Sequence, residues 1–293
     1  MDFVLTPRKD HAFVFDVYDK KERKLSRSQF YRMFGDELAT AFNEGRVAPK
    51  SAERIPILIE GDSWTNLLWP LSAAFGFERN FCDVIELEQY SDVENRGWPG
   101  DTLENIVAEK DYEALLKAGQ RAFFIFSAAG NDVLGGGSLK KFVRNRSAIN
   151  PSEPVENWIV TSEMNKALRR ITLGYRTVAR ECEVWTQGKT RMLVHGYDYP
   201  IARENGVWLG TPFAELGYDL ASDRAVIDEI LRHLVDKLYA TLHAVAAIHP
   251  NVKVINLRGL VAGRWTDELH TAREASEDIA AAFLHEMTAS LIS

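Results

Sequence analysis

The chain has 293 residues, of which 46% are hydrophobic and 26% charged, a balance that permits a large buried core and excludes global disorder. Acidic residues outnumber basic ones by 42 to 35, so the net charge of −7 argues against a nucleic-acid partner bound through a basic face. The two cysteines exclude a disulfide scaffold and favour buried thiols in a reducing compartment, so we expect a cytoplasmic protein. No apolar stretch approaches the roughly 18 residues of a membrane span.

Residues 1–50 are predicted to be an N-terminal extension packed on a single domain that comprises residues 51–293. Within the extension, Ser28 is a candidate helix N-cap and Gly45 a candidate terminator. Between them, four apolar residues recur at the spacing of one helix face: Phe30, Phe34, Leu38 and Phe42. The pattern therefore predicts one helix lying on the domain, not a separate module.

Five short runs rich in apolar and β-branched residues are predicted to be strands: Ile55–Ile59, Asp83–Leu87, Ala122–Phe126, Met192–His195 and Val252–Leu257. Three of these runs are almost unbroken, which is typical of parallel strands covered on both faces. Helical patterns lie between and after them, the longest at Asn157–Glu183 and Asp223–Ala247. This alternation predicts an α/β fold with three α/β/α layers and a doubly wound, parallel, five-stranded sheet.

Residues suited to chemistry follow four of the predicted strands, at the sheet edge where open α/β folds build their sites. The segments are Gly61-Asp62-Ser63, Gly100-Asp101-Thr102, Gly130-Asn131-Asp132 and Asp267-Glu268-Leu269-His270. A helical pattern from Asn66 is expected to place the Ser63 amide near a helix start, where anions are favoured. Thr65 occupies the last glycine position of a Gly-x-Ser-x-Gly elbow, so that motif is not matched.

In this order and spacing, the four segments resemble the conserved blocks of the SGNH hydrolases, also called the GDSL esterase/lipase family. The matching blocks span Gly61 to His270. The resemblance implies a flavodoxin-like sheet and hydrolysis of esters. It also implies a catalytic triad of Ser63, Asp267 and His270. It further implies an oxyanion hole formed by the backbone N–H groups of Ser63 and Gly100 and the side-chain amide of Asn131. Two departures bear on the acyl pocket, because Trp64 replaces a small aliphatic residue and Thr271 replaces a proline.

The same residue types have physical roles that do not depend on the resemblance. A serine hydroxyl becomes a good nucleophile only when a base takes its proton, and His270 is the candidate base. Asp267 lies three residues earlier, where a helical or turned segment would bring its carboxylate to the imidazole. The attacked carbonyl becomes an oxyanion, which needs hydrogen-bond donors.

Several of these residues also have plain structural interpretations. Asn131 is equally suited to close a turn, and Asp267 to cap the last helix. His195 ends a strand and is more typical of a hydrogen-bonded structural histidine, although it is the best substitute if His270 is not the base. Aromatic residues in the loops are candidates for binding substrate or merely for packing those loops; with His195, the candidates are Trp64, Trp98, Tyr197, Tyr199 and Trp208.

No metal or other cofactor is expected, because His243 and His249 lack ligand spacing and no glycine-rich segment has nucleotide-binding spacing. The favoured function is hydrolysis of an acyl or acetyl ester of a small molecule, lipid or carbohydrate through a serine acyl-enzyme. Two alternatives remain open: an acyltransferase that uses an acceptor other than water, and a catalytically inactive binding protein of the same fold.

Overall fold

The computed structural model describes residues 3–8, 11–25, 29–30, 53–69, 72–73, 76–135 and 137–292. The helix predicted between Ser28 and Gly45 lies outside these residues, apart from Gln29 and Phe30, and so does the boundary predicted after residue 50. The strands are β1 (Phe3–Arg8), β2 (His11–Asp19), β3 (Ile55–Gly61), β4 (Ser91–Asn95), β5 (Phe123–Ser127), β6 (Arg191–His195) and β7 (Val252–Ile255).

The α-helices are α1 (Phe81–Leu87), α2 (Leu103–Glu109), α3 (Glu113–Lys117), α4 (Gly130–Val133), α5 (Leu139–Phe142), α6 (Thr161–Thr186), α7 (Gly210–Glu215), α8 (Arg224–Ala246) and α9 (Arg273–Ile292). Short 3₁₀ turns occupy Arg146–Ala148 and Val155–Trp158. Thr102 caps helix α2, because its hydroxyl accepts the Asn105 N–H at 3.2 Å. Across the described ranges, no helix is both long enough and apolar enough to cross a membrane.

Strands β3 to β7 form one parallel sheet in the order β4-β3-β5-β6-β7, which confirms the predicted doubly wound α/β fold. The chain enters the sheet at β3, moves to the β4 edge, and then returns past β3 to build the other side. Strand order therefore reverses between β3 and β5. In open α/β sheets, the crevice beyond the carboxyl ends of such strands is the usual place for a site.

Helices cover both faces of this sheet. Phe126 of β5 pairs with Val194 of β6, and its ring contacts Tyr175 of α6 at a centroid distance of 5.2 Å. The next residue along β6, His195, must point to the opposite face, where it contacts Phe283 of α9 at 5.9 Å. Helices α6 and α9 thus lie in different layers, and the sheet core between them is fully buried.

The second predicted strand is wrong: Asp83–Leu87 belongs to helix α1, and the strand β4 follows at Ser91–Asn95. A capping box explains the helix, because the Asn80 side chain accepts the Asp83 N–H while the Asp83 carboxylate accepts the Asn80 N–H. Strand β4 lies at the sheet edge and carries mostly half-exposed polar residues, so it lacks an apolar run.

The N-terminal segment contains an antiparallel pair of strands, β1 and β2, which the sequence analysis did not predict. The run Phe13–Tyr18 is rich in aromatic and β-branched residues, so a strand signal was present there. Val17 of β2 packs in a small buried cluster with Phe30 and Leu68, and Leu68 belongs to the main domain. This cluster joins the described N-terminal residues to the segment that follows β3.

Both cysteines are buried and free, as predicted. Burial raises the pKa of the Cys182 thiol to about 12 and also raises that of Cys82. Neither thiol is therefore prepared to act as a thiolate nucleophile at neutral pH.

Candidate active site

Ser63, His270 and Asp267 form a continuous chain of hydrogen bonds at the carboxyl edge of the sheet. The Ser63 Oγ lies 2.8 Å from His270 Nε2, and His270 Nδ1 lies 2.7 Å from Asp267 Oδ2. The imidazole is only 4% exposed, so few water molecules compete for its two nitrogens. The arrangement allows His270 to take the proton of the Ser63 hydroxyl while Asp267 fixes the imidazole tautomer.

A tight loop between β7 and α9 carries both Asp267 and His270. Trp265 and Thr271 pair as an isolated antiparallel bridge, which closes the base of this loop. Within it, Asp267 Oδ1 accepts the N–H groups of Leu269 and His270, each at 2.7 Å. Helix α9 begins well beyond Asp267, so this residue orients His270 and does not cap the last helix.

The protonation of Asp267 suits this role. Burial raises its pKa, but the charge of His270 and hydrogen bonds from the His270 ring and backbone outweigh burial, so the pKa lies below its ordinary value. The carboxylate therefore stays ionised at neutral pH. An ionised partner stabilises the imidazolium that forms when His270 takes a proton.

Ser63, the candidate nucleophile, lies on the turn that leaves β3. A Cβ on Gly61 would stand 2.1 Å from the Ser127 carbonyl oxygen, so only glycine permits this approach to β5. The Asp62 carboxylate then accepts the Trp64 N–H at 3.0 Å, and the Asp62 carbonyl accepts the Thr65 N–H at 3.0 Å. These bonds wind the chain tightly around Ser63 and present its hydroxyl at the sheet edge.

The helix predicted from Asn66 is absent through residue 69. Asn66 instead binds backbone groups with its side chain, because its oxygen accepts the Leu68 N–H at 2.6 Å and its amide donates to the Gly97 carbonyl at 2.9 Å. Such local bonds compete with helical ones. The Ser63 amide is therefore not at a helix start.

Trp64 connects the turn of Ser63 to the loop that carries His270. Its indole N–H donates to the Leu269 carbonyl at 2.8 Å, and its ring contacts Tyr197 and Trp265 at centroid distances of 5.0 and 6.0 Å. A small aliphatic residue would provide none of these contacts. The unusual residue after the serine thus helps to hold Ser63 against His270.

Asn131 and Gly100 lie beside each other next to this turn. The Asn131 amide donates one hydrogen bond to the Asp101 carbonyl at 2.9 Å, which leaves its second N–H unengaged. Gly100 has a φ of +83°, a conformation that favours glycine. Among the described residues, no acceptor binds the backbone N–H of Ser63 or Gly100.

Tyr197 joins the loop of Asn131 to the turn of Ser63. Its hydroxyl donates to Asp62 Oδ2 at 2.5 Å and accepts the Gly130 N–H at 2.9 Å. A Cβ on Gly130 would stand 2.8 Å from the Tyr197 ring, so the two elements pack closely. Burial raises the pKa of Asp62 to about 6, and the hydrogen bond from Tyr197 opposes this rise.

We expect Tyr197→Phe to lower kcat about tenfold, because loss of the hydroxyl releases both Asp62 and Gly130 and loosens the placement of their neighbours. KM should change much less, since the ring that contacts the cleft remains. Tyr112→Phe is the matched control: Tyr112 is equally buried, but its hydroxyl donates to Glu181 away from the site. Equal losses of kcat in the two variants would show that Tyr197 contributes only to general stability.

Glu268 is a functional candidate that the sequence analysis missed. Its buried carboxylate accepts four backbone N–H groups at 2.8 to 3.0 Å, those of Arg203, Trp208, Leu209 and Gly210. The carboxylate therefore anchors the loop after β6 to the loop that carries Asp267 and His270. A charged residue inside the Asp-x-x-His block was the available signal.

A narrow cleft opens beside Ser63. Its wall is mostly apolar and includes Trp64, Leu134, Pro200, Trp265 and Leu269. Asn131 and Tyr197 also line it. Two of the predicted substrate-binding aromatics, Trp64 and Tyr197, are thus in the cleft.

His195 does not reach the cleft. It is fully buried behind Trp64, between the rings of Phe81 and Phe283, and its Nδ1 accepts the Tyr197 N–H at 3.1 Å. Burial lowers the pKa of His195 to about 3, so the ring stays neutral at working pH. The structure therefore gives His195 a packing role.

Three further candidates are also placed elsewhere. Trp98 packs edge-on against Phe30 at 5.1 Å, beside the small cluster that Phe30 forms with Val17 and Leu68. Trp208 is a buried residue of the loop that Glu268 anchors. Tyr199 faces a neighbouring groove, and its hydroxyl donates to Asp236 at 2.9 Å. Their positions in loops predicted that these three rings line the cleft, but each packs against or binds other residues of the protein.

No residues suited to metal binding converge at the site. Across the described ranges, no three histidine, cysteine, aspartate or glutamate side chains are grouped closely enough to hold a metal ion. Asp267 and His270 engage each other, and Glu268 is occupied by backbone N–H groups. The described residues of the site therefore include no set of side chains suited to hold a metal ion.

No protein-family model and no curated protein matches this chain. Solved structures with a similar fold include a catalytic mutant of Axe2, an acetylxylan esterase from Geobacillus stearothermophilus, with 14% identity, coverage of 81% of this chain and 96% of that chain, and a TM-score of 0.46. A member of the lipolytic protein G-D-S-L family from Veillonella parvula has 15% identity, coverage of 80% and 98%, and a TM-score of 0.43. The lipase Lip_vut3 from a goat rumen metagenome has 13% identity, coverage of 79% and 96%, and a TM-score of 0.49.

Proposed function

We propose that this protein is a serine esterase that hydrolyses a carboxylic ester through an acyl-enzyme on Ser63. The observation that carries the proposal is the hydrogen-bonded chain from Ser63 through His270 to Asp267, with distances of 2.8 and 2.7 Å. The order of the sequence blocks, which resembles that of the SGNH hydrolases, supports the same chemistry.

The reaction uses each member of the chain in turn. Ser63 Oγ attacks the ester carbonyl while His270 takes its proton, and a tetrahedral intermediate forms. His270 then gives the proton to the departing alkoxide, so the alcohol leaves and the acyl group stays on Ser63. Water, deprotonated by His270, attacks the acyl-enzyme; the bond from the acyl carbon to Ser63 Oγ breaks, His270 returns the proton to Oγ, and the carboxylic acid leaves. Asp267 remains ionised throughout and stabilises the imidazolium.

The oxyanion of the intermediate requires donors that are already in place. We assign this role to the backbone N–H groups of Ser63 and Gly100 and to the second N–H of the Asn131 amide. The hydrogen bond from Asn131 to the Asp101 carbonyl supports the assignment, because it holds the amide next to Gly100. Donors fixed before the reaction need no reorganisation as the charge develops.

Substitutions of Asn131 separate a donor role from a turn-forming role. Asn131→Ala removes one oxyanion donor, which should lower kcat by about 100- to 1,000-fold. Asn131→Asp should be weaker still, because an ionised carboxylate also repels the developing oxyanion. We therefore expect turnover of one activated ester near neutral pH to fall in the order Asn, Ala, Asp.

Circular dichroism of each Asn131 variant serves as the folding control. Aspartate forms turns as readily as asparagine, so a residue that only closed a turn would tolerate Asp better than Ala. An active Asn131→Asp enzyme beside a weak Asn131→Ala enzyme would remove Asn131 from the oxyanion hole.

The cleft favours a short acyl group. The bulky rings of Trp64 and Trp265 stand in its wall and leave little space beside Ser63. Each methylene gains free energy only while apolar surface remains to bury it, at about 0.8 kcal/mol per group. Among p-nitrophenyl esters from acetate to palmitate, we expect kcat/KM to be highest at four carbons or fewer.

The same ester series, extended to acetylated sugars, tests the proposed function. Hydrolysis that Ser63→Ala abolishes is the expected result. A protein whose Ser63 reacts with a fluorophosphonate but releases no acid from any ester would be an acyltransferase. A protein that does neither would be a binding protein of this fold.

A further inference from the structure

A second groove continues from the catalytic cleft. Asp198, Pro200 and Trp265 line both, so the two spaces share a wall. The second groove is open to solvent and runs toward the first half of helix α8. We call it the arginine groove, because Arg224 and Arg232 of α8 line it together with Tyr199 and Asp228.

The side chain of Arg232 forms no ion pair with a carboxylate of the described residues. Its guanidinium lies 5.5 Å from the centre of the Tyr199 ring, and it forms neither an ion pair nor a hydrogen bond within the described part of the chain. The aromatic ring holds the guanidinium in the groove by a cation–π contact. Its planar N–H donors therefore remain available to a ligand.

The other charged groups of the groove are partly or fully engaged. Arg224 donates to the Ala202 carbonyl at 2.8 Å and lies 3.6 Å from the Asp228 carboxylate. The buried Asp198 carboxylate accepts backbone N–H groups, among them those of Gly259 and Val261 at 2.6 and 2.7 Å. Two arginines and two carboxylates therefore line the groove: Asp198 binds backbone N–H groups and Asp228 lies beside Arg224. Arg232 is the arginine of this lining that has no ion pair among the described residues.

We infer that the substrate of the proposed esterase carries an anionic oxygen group, a carboxylate or a phosphate, which binds Arg232 in the arginine groove. The inference rests on the proposed function, because it assigns the groove to the part of the ester that lies beyond the scissile bond. Arginine matches the geometry of both anions with paired N–H donors. The shared wall at Pro200 and Trp265 places that anion in the same molecule as the ester attacked by Ser63.

The test compares acetyl esters that differ in charge. One pair is para-acetoxybenzoate and para-acetoxybenzamide, and a longer pair is the acetyl ester of hydroxyphenylpropionate and its amide. para-Acetoxyphenyl phosphate, measured against phenyl acetate, forms a third arm that distinguishes phosphate from carboxylate. The readout is the ratio of kcat/KM for the anionic ester to that for its neutral counterpart, so differences in intrinsic ester reactivity cancel between enzyme variants.

We expect Arg232→Gln to lower this ratio about fivefold in at least one arm, which is the range for an ion pair in contact with solvent. Arg232→Lys keeps the charge and should retain part of the preference. Lys237→Gln is the matched control, because Lys237 is exposed on the same helix outside the groove; its ratio should stay within about twofold of wild type.

The outcomes separate the two proposals. Hydrolysis of the neutral esters with ratios that Arg232→Gln leaves unchanged in all three arms would overturn the anionic substrate and leave the esterase standing. An equal fall in Arg232→Gln and Lys237→Gln would show a general effect of net charge and would also overturn the role of Arg232. Failure to hydrolyse any ester would overturn both proposals.

Discussion

Ser63→Ala is expected to lower ester hydrolysis by about three decades or more while leaving the protein folded. The variant loses the only atom that can form the acyl-enzyme, so the covalent route disappears and only binding and the oxyanion donors remain. Truncating a hydroxyl that points out of the sheet edge removes little packing, so stability should change by less than about 1 kcal/mol. Initial rates on p-nitrophenyl acetate, with thermal unfolding followed by circular dichroism, measure both quantities.

Ser162→Ala provides the matched control for this experiment. Ser162 is exposed in the first turn of α6 and lies outside the cleft, so the same chemical change should leave turnover intact. Normal turnover by folded Ser63→Ala protein would contradict the assignment of the nucleophile.

His270→Ala is expected to lose nearly as much activity as Ser63→Ala, because Ser63 is then left without a base. His195→Ala should retain most of its turnover and lose stability instead, by about 2 kcal/mol, since a fully buried ring is removed from an aromatic core. The contrast follows from the structure: one imidazole contacts Ser63 at 2.8 Å, and the other is enclosed behind Trp64. An inactive His195→Ala beside an active His270→Ala would reverse the assignment of the base.

Acid unfolding gives a second readout for His195. The pKa of the folded residue lies at about 3, below the value near 6.5 in the unfolded chain. Between these pH values the unfolded state binds a proton at His195 and the folded state does not. The free energy of unfolding therefore falls as pH falls from about 6.5 toward 3. His195→Ala should show a shallower loss of stability between pH 7 and 5 than wild type in urea unfolding.

The central strands could be predicted because each is an apolar run that the sheet covers on both faces. Phe123–Ser127 is entirely buried, and its neighbours β3 and β6 are buried except at their first residues. Strand β4 was missed because an edge strand with half-exposed residues such as Asp92 and Glu94 resembles a loop. The prediction of a strand at Asp83–Leu87 is wrong because the residue that starts the helix, its N-cap Asn80, lies before this run.

The grouping of Ser63, Asp267 and His270 could be predicted because these residues lie in short local blocks after strands, where the topology brings them together. The supporting contacts could not, because they join segments far apart in the chain. Tyr197 binds Asp62 across 135 positions, and Trp64 binds the Leu269 carbonyl across 205. Nothing in the sequence around Tyr197 indicates that Asp62 is its partner. Pairings of this kind follow from packing, and only the folded structure identifies them.

The most direct test of the central claim is to locate a covalent adduct by mass spectrometry after treatment with a fluorophosphonate. In this reaction the nucleophilic oxygen forms a bond to phosphorus and fluoride leaves, so the adduct marks the activated residue. We predict one adduct, on Ser63, which is absent from Ser63→Ala and forms far more slowly on His270→Ala. An adduct on another residue, or none on the folded wild-type protein, would contradict the claim that Ser63 is a nucleophile activated by His270.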